Sequence, residues 1–313
     1  VTFVRTVLGD IEPGQLGITY SHEHLAIDGG RPVELSPDFL LIDSRRMVDE
    51  VASAAALGLR AAVDAMPIDA GRSPAMLAEI SRRAGVHVLA ATGLHHARFY
   101  PDDHWSMRTT EDALVDRFTA EIGDGIDGTP VRAGVIKVAG SENGPSARDE
   151  PIFRAAAETQ RRTGAPILTH CDGGSGGMEQ VRLLVQAGAS PEHVVLSHVD
   201  KVVDRGYHRA LAEAGAVLEY DQSFRWPDGD NGTLRLLRWM ADDGFIGRLV
   251  LGMDAARQGY YTAYGGGPGL TYLLGTFSEA MAAAGLDEDI RRQLFVDNPA
   301  RVFAFASPPG APA

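Results

Sequence analysis

Along this chain, short and almost continuously apolar runs alternate with longer segments whose apolar positions recur at helical spacing. The short runs are 17–25, 60–67, 87–95, 133–140, 166–171, 193–200, 216–222 and 248–255. The longer segments lie near 44–58, 74–84, 109–122, 149–163, 176–188, 202–214, 231–243 and 269–284, with a last one near 287–304. Continuous apolar runs, rather than strict alternation, are expected of parallel strands covered by helices. Ser73-Pro74 places a cap before a first-turn proline, and Thr110-Glu111-Asp112 puts acid in a first turn. Gly58, Gly85, Gly164, Gly188 and Gly215 each close a helix shortly before the next strand. Eight such repeats predict an α/β protein, a single (β/α)8 TIM barrel in which 1–313 form one domain. A doubly wound open sheet is the alternative. It would carry a Gly-rich fingerprint after its first strand, and none is present. Ahead of the repeats, Thr2-Phe3-Val4-Arg5 and Thr6-Val7-Leu8 have strand character, and Gly9-Asp10 and Pro13-Gly14 are turn pairs. A short N-terminal hairpin or lid is expected there. Ser307-Pro308-Pro309-Gly310 onward is expected to be a frayed tail.

Composition narrows the function without naming it. The 313 residues are 44% hydrophobic and 23% charged, ordinary for a soluble globular protein. No apolar run is long enough to span a bilayer, and no basic-plus-apolar leader is seen. Residue 1 is Val, which leaves the natural start open. One cysteine excludes an intrachain disulfide, and a reducing cytoplasm is the expected compartment. A net charge of −13 argues against nucleic acid or an anionic membrane as partner. A small-molecule substrate is expected instead, with a homodimer left open. The basic residues are lopsided: of 29, only Lys137 and Lys201 are lysines.

Chemistry gathers at the ends of the strand-like runs. In Ser21-His22-Glu23-His24, strand geometry points His22 and His24 the same way, with Glu23 opposite. Two imidazoles projecting together can hold one divalent metal. Lys137 lies inside Ala133-Gly134-Val135-Ile136-Lys137-Val138-Ala139-Gly140, His170 ends the 166–171 run, His198 falls near the end of 193–200, and Asp254 near the end of 248–255. In a barrel these ends converge on one mouth. Singly, each residue reads as well as a satisfied core histidine or a cap; six at one end of five strands suit two divalent metals. An ammonium in a dry apolar strand needs a partner or a function. Because a buried lysine can become a neutral amine, Lys137 suits a Schiff base or a carbamate. Its histidine neighbours favour the carbamate, an oxygen ligand able to bridge two metals. His87, His193 and His208 lie away from the mouth. His95, His96 and His104 fall in or after the third loop, and His95 is a candidate for lining the pocket.

These residues carry a family resemblance. Gly17-Ile18-Thr19-Tyr20-Ser21-His22-Glu23-His24, Lys137, Thr169-His170, Ser197-His198-Val199-Asp200, Gly252-Met253-Asp254 and Asn298-Pro299-Ala300-Arg301 together resemble the phosphotriesterase family of the amidohydrolase superfamily, over nearly the whole chain. The resemblance implies a barrel with two metals, usually zinc, with manganese or cobalt as alternatives. It implies that His22, His24 and Asp254 hold the more buried ion and His170 and His198 the other, bridged by carboxylated Lys137 and a hydroxide that attacks the substrate. Asp254 would take up the proton, with Asp200, two residues after His198, as a proton acceptor behind it. The loop 255–270 is similar to that of lactone-hydrolysing branches, where residues matching Arg257 and Tyr260 bind the phosphate of a sugar lactone. Those branches add a lysine from the loop after the seventh strand. Asp221-Gln222-Ser223-Phe224-Arg225-Trp226-Pro227 has none, so Arg225 is the substitute, unless the phosphate is absent and Trp226 lines an apolar pocket. The alternative for Arg257 is a structural salt bridge inside its loop. The expected activity is a metal-dependent lactonase, with a phosphotriesterase, a silent metal- or ligand-binding barrel and a Schiff-base lyase as alternatives.

Overall fold

A computed structural model describes residues 2–227 and 229–306; the tail expected from Ser307 lies outside them. Two short antiparallel strands, β1 (Val4–Thr6) and β2 (Gly9–Ile11), precede eight parallel ones. These are β3 (Thr19–Glu23), β4 (Ala61–Asp64), β5 (His87–Gly93), β6 (Ala133–Gly140), β7 (Ile167–Cys171), β8 (Val194–Ser197), β9 (Val217–Tyr220) and β10 (Leu249–Leu251). Their order in the sheet is their order in sequence. The helices are α1 (Gly30–Leu35), α2 (Ser44–Ala56), α3 (Pro74–Ala84), α4 (Glu111–Gly123), α5 (Asp149–Thr163), α6 (Gly177–Gln186), α7 (Arg205–Glu213), α8 (Gly232–Asp242), α9 (Thr276–Ala283), α10 (Glu288–Arg292) and α11 (Asn298–Val302). The fold is the expected TIM barrel. It closes where the end of β3 meets the segment just past β10: the Asp254 amide donates to the His22 carbonyl at 2.8 Å and the His24 amide to Ala255 O at 3.3 Å. Gly252 lets the two segments approach; a Cβ there would stand 2.8 Å from the His22 nitrogen. No helix among the described residues is long and apolar enough to cross a membrane.

The interior is layered, and the layering creates the site. Val63, Leu89, Val135, Leu168, Val195, Val217 and Val250 form one buried cluster with Val4, Leu16, Val302 and Phe303. Successive side chains of a strand face opposite ways, so the residue two positions on returns to the same face. Two positions beyond Val135, Leu168, Val195 and Val217 stand Lys137, His170, Ser197 and Glu219. A polar layer therefore sits directly on an apolar floor.

Several boundaries differ from expectation for local reasons. The hairpin turns at Val7-Leu8 rather than Gly9-Asp10, because Thr6 Oγ1 donates to Gly9 O and accepts from Leu8 N. Ser73 precedes α3 without a side-chain capping bond, whereas Thr110 does cap α4, accepting from Ala113 N at 3.3 Å. A short helix, α1, occupies a segment for which none was expected. The helix expected over 269–284 begins only at Thr276. The preceding backbone is claimed elsewhere: Leu270 N donates to Glu50, and Leu270 O accepts from the Tyr20 hydroxyl. The run 287–304 is broken by a π-turn at Gln293–Asp297. There Asn298 Nδ2 reaches Ile246 O and Leu249 O, both at 2.8 Å, and ties the C-terminal helix to β10.

Glu50 of α2 anchors the long loop after β10. Its buried carboxylate accepts from Thr262 Oγ1 at 2.7 Å and from the amides of Ala263 and Leu270 at 2.8 Å. Glu50→Ala strands one buried donor, the Leu270 amide, worth about 1–3 kcal/mol when left unpaired, and frees two donors that solvent can reach. Thermal unfolding of the variant should therefore begin roughly 2–6 °C lower. An unchanged midpoint would show that the loop does not depend on this anchor.

Candidate metal centre

Strand ends and turns carry the six donors to one place. His22 is on β3, and Lys137 and His170 are on β6 and β7. The others lie just past their strands, in backbone that only the turn can provide. β8 ends at Ser197, and His198 follows at φ 67; β10 ends at Leu251, and Asp254 sits at φ 50. Both lie in the left-handed region, which non-glycine residues adopt at a cost of order 1–3 kcal/mol.

Asp254 is the hub. Its Oδ1 lies 3.4 Å from His24 Nε2 and 3.7 Å from His22 Nε2, and its Oδ2 lies 3.8 Å from His198 Nδ1. His22 Nε2 is 3.4 Å from Lys137 Nζ. The rings of His22 and His198 are 4.8 Å apart, and those of His198 and His170 4.5 Å. The expected set is thus contiguous, and His22, His24 and Asp254 present donor atoms within 4.8 Å of one another, close enough to share an ion.

The protonation chemistry fits ligation. Burial, reinforced by the nearby Lys137 charge, holds His22 well below its usual value; burial, with His198 beside it, does the same for His170. Both are neutral imidazoles with a lone pair to offer. Burial brings Lys137 from its ordinary 10.5 down to about 8, against the opposing pull of Glu219 and Asp254. Burial drives Asp254 upward, but His198, His24 and Arg225 outweigh it and hold the carboxyl well below the usual range. His24 Nδ1 is buried without a partner among the described residues, and His198 Nδ1 lies 2.8 Å from Asp221 Oδ2 but off the line of a hydrogen bond. Nitrogen atoms left unspent in a buried polar layer are what a metal-binding set requires.

Around the donors is a ring of buried carboxylates. Glu23 does point away from His22 and His24, as strand geometry requires, and its oxygens accept the amides of Met253 (2.9 Å) and Ala255 (3.3 Å), gripping the backbone on both sides of Asp254. Asp64 accepts from Leu25 N at 2.6 Å and Met66 N at 3.1 Å. Glu219 Oε2 is 2.8 Å from His22 Nδ1, and Asp221 Oδ2 also accepts from His198 N at 3.1 Å. Sequence reasoning assigned no role to Glu219 or Asp221. The signal was available: Glu219 is a charge inside the apolar run Val217-Leu218-Glu219-Tyr220, as Lys137 is in its own strand.

Residues expected to act outside the metal set have mixed placements. Asp200 is fully buried but turns away from His198. It accepts from Asp221 N (3.2 Å), Gln222 N (2.9 Å) and Thr233 Oγ1 (2.6 Å), so it braces the end of β9, and the carboxylate beside His198 is Asp221. The strand-face reasoning fails because β8 has already ended at Ser197. Arg225 donates to Asp221 O, Met253 O and Asp254 O at 2.7–2.9 Å, lies 3.5 Å from Asp254 Oδ2 and rests against the rings of Phe224 and Tyr260. Most of its donors are therefore committed to the chain, not free for a substrate anion. Arg257 stacks on Phe39 at 4.4 Å and donates to Ser36 Oγ at 3.1 Å. Tyr260 packs on Phe224. His95 packs edge-on against His170, with ring centroids 4.8 Å apart, and so does reach the mouth. A second group, His96, His170 and Asp172, lies beyond it, with His170 Nε2 3.3 Å from Asp172 Oδ1.

Comparison with known proteins agrees with this geometry. Residues 2–303 match the phosphotriesterase family. The chain is 32% identical over 327 residues to a phospho-furanose lactonase of Mycoplasmopsis synoviae, covering 97% of this chain and 92% of that protein. It is 26% identical over 311 residues to an aryldialkylphosphatase of Saccharolobus solfataricus, covering 94% and 97%. The crystal structure of a lactonase from Listeria monocytogenes superposes with a TM-score of 0.92 at 31% identity, over 97% of this chain and 100% of that one. A barrel of this topology, a converging His/Asp/Lys set and a match along the whole chain together establish that this protein belongs to the phosphotriesterase family and is a hydrolase.

Proposed function

We propose that the protein is a binuclear metal-dependent lactonase acting on a phosphorylated or otherwise anionic lactone. The observation that carries this reading is the contiguous set His22, His24, His170, His198 and Asp254 beside Lys137, whose Nζ lies 3.4 Å from His22 Nε2 and whose amine pKa burial brings down to about 8. His22, His24 and Asp254 would hold one ion and His170 and His198 the other, with zinc the first choice and manganese or cobalt as substitutes. Lys137 would stand between them as a carbamate. Its neutral amine would form an N–C bond with carbon dioxide and release one proton, turning an uncharged nitrogen into an anionic oxygen ligand. When bound, the ions supply Lewis acidity toward the substrate carbonyl and lower the pKa of water.

The side chains do the rest. Asp254, held by Glu23 through its flanking amides and by Arg225 through its carbonyl, takes the proton released as water adds to the lactone carbonyl. It returns that proton to the ring oxygen as the C–O bond breaks, giving a hydroxy acid. Arg257 would bind the anionic group; stacking on Phe39 orients its guanidinium plane, and Tyr260 adds a hydroxyl. His95 would line the approach. Arg225 and Asp200 are positioning residues in this scheme. The phospho-furanose lactonase relative supports the substrate class. Phosphotriester hydrolysis is a second reading, favoured by the aryldialkylphosphatase relative.

The test is a panel of lactones, with and without phosphate, and of phosphotriesters, on metal-loaded protein with and without chelator. Arg257→Ala should raise KM for the anionic lactone about ten- to hundredfold, the value of a charge-assisted contact, and leave a neutral lactone nearly unchanged. Equal losses on both would return Arg257 to a purely structural role and make a neutral lactone the better substrate. Turnover of phosphotriesters alone would replace the lactonase reading.

A further inference from the structure

Glu219 lies on β9 and Asp221 just past its end, and each lies 2.8 Å from the Nδ1 of a different histidine of the centre. The Glu219 contact is the better formed. Both side chains are essentially sealed, at 0% and 1% exposure, and Ser197 Oγ lies 3.1 Å from the same nitrogen. Across the imidazole ring, Nε2 of His22 faces Lys137 Nζ at 3.4 Å and Asp254 Oδ1 at 3.7 Å.

A neutral imidazole has one N–H, and the partner of one nitrogen decides what the other can do. Burial pushes the Glu219 carboxyl well above its usual range, with Ser197 and Lys137 pulling it back; in its ionised form the group only accepts, so it draws the proton to Nδ1 and leaves the lone pair on Nε2. Ser197 can donate or accept and does not decide. Burying a carboxylate is costly unless its hydrogen bond does something an apolar side chain could not. At this layer of the barrel, directly above Val217, the nearby Lys137 charge attracts the carboxylate, and the nitrogen within its hydrogen-bond reach is His22 Nδ1. We propose that Glu219 is a positioning residue that fixes His22 as its Nδ1–H tautomer and so aims the Nε2 lone pair at the ion held with His24 and Asp254. The proposal rests on the metal reading above.

The tautomer can be read without any metal. Long-range 15N–1H spectra of the histidine side chains are recorded on the metal-free full chain, with His22 assigned by the signals lost in His22→Gln. The expected result is a protonated Nδ1 and a bare Nε2 in the natural protein and in Glu219→Gln, whose amide oxygen still accepts. Glu219→Leu should show a mixture or the reverse. A second arm titrates cobalt against a chelating competitor. Glu219→Leu should bind about 10–100-fold more weakly, the usual cost of losing such a partner, with an altered d–d band, while Glu219→Gln stays within a few-fold. A proton on Nε2 in the natural protein, with Glu219 donating, overturns the proposal. So does a leucine variant with unchanged tautomer and affinity. If the natural protein takes up no cobalt, the metal reading falls, while the tautomer spectra still test the Glu219 contact. If the leucine variant does not fold, the natural tautomer and the glutamine variant decide.

Discussion

Lys137→Ala should lose bound metal and turnover together. The natural protein, grown with added zinc or manganese, is expected to hold close to two equivalents by elemental analysis. The variant should hold far less, because the six donors are too many for one tetrahedral site and, in the proposed arrangement, Lys137 joins the two halves. Turnover should drop by about three powers of ten or more, since the ions account for several kcal/mol of transition-state stabilisation. A short carboxylate such as acetate, supplied in the medium, should restore part of both by occupying the space left above Val135. A natural protein with one clean equivalent and full activity would defeat the binuclear arrangement. A fully loaded protein whose Lys137 remains an unmodified amine would defeat the carbamate.

Asp254→Asn separates holding from proton transfer. The amide oxygen can still face an ion, but the group cannot take up a proton. kcat should therefore fall by about a hundred- to ten-thousand-fold, while metal content falls much less. The backbone of residue 254 is fixed independently of its side chain. Glu23 grips both flanking amides, and Arg225 grips the carbonyl. The asparagine should thus stand where the aspartate stood. Near-normal turnover would leave Asp254 as a ligand only.

Much of this architecture could be read in advance, and the reasons are physical. Parallel strands covered on both sides must be apolar throughout, so any charge inside one is conspicuous; that is how Lys137 stood out. Glu219 sends the same signal from a shorter strand, but no metal-ligand pattern surrounds it in sequence, and its partner His22 is 197 residues away. His22, His24, His170, His198 and Asp254 were legible because barrel topology alone brings strand ends together. What lies past a strand end was not legible from strand periodicity. His198 and Asp254 turn through positive φ, so the rule of alternate faces does not extend to Asp200, and the carboxylate 2.8 Å from His198 is Asp221. The late start of α9 was hidden for a related reason: Glu50, more than two hundred residues earlier, claims the backbone that a helix would have used.

The apolar floor has one further consequence. Val4 and Leu16 from the N-terminal segment and Val302 and Phe303 from the C-terminal one pack with the inner valines and leucines and stop up the barrel beneath the polar layer. With the floor so filled among the described residues, substrate, water and the proposed product would share the mouth at the strand ends. Arrival and departure are traffic on one lane, so a product slow to leave stands in the way of the next substrate.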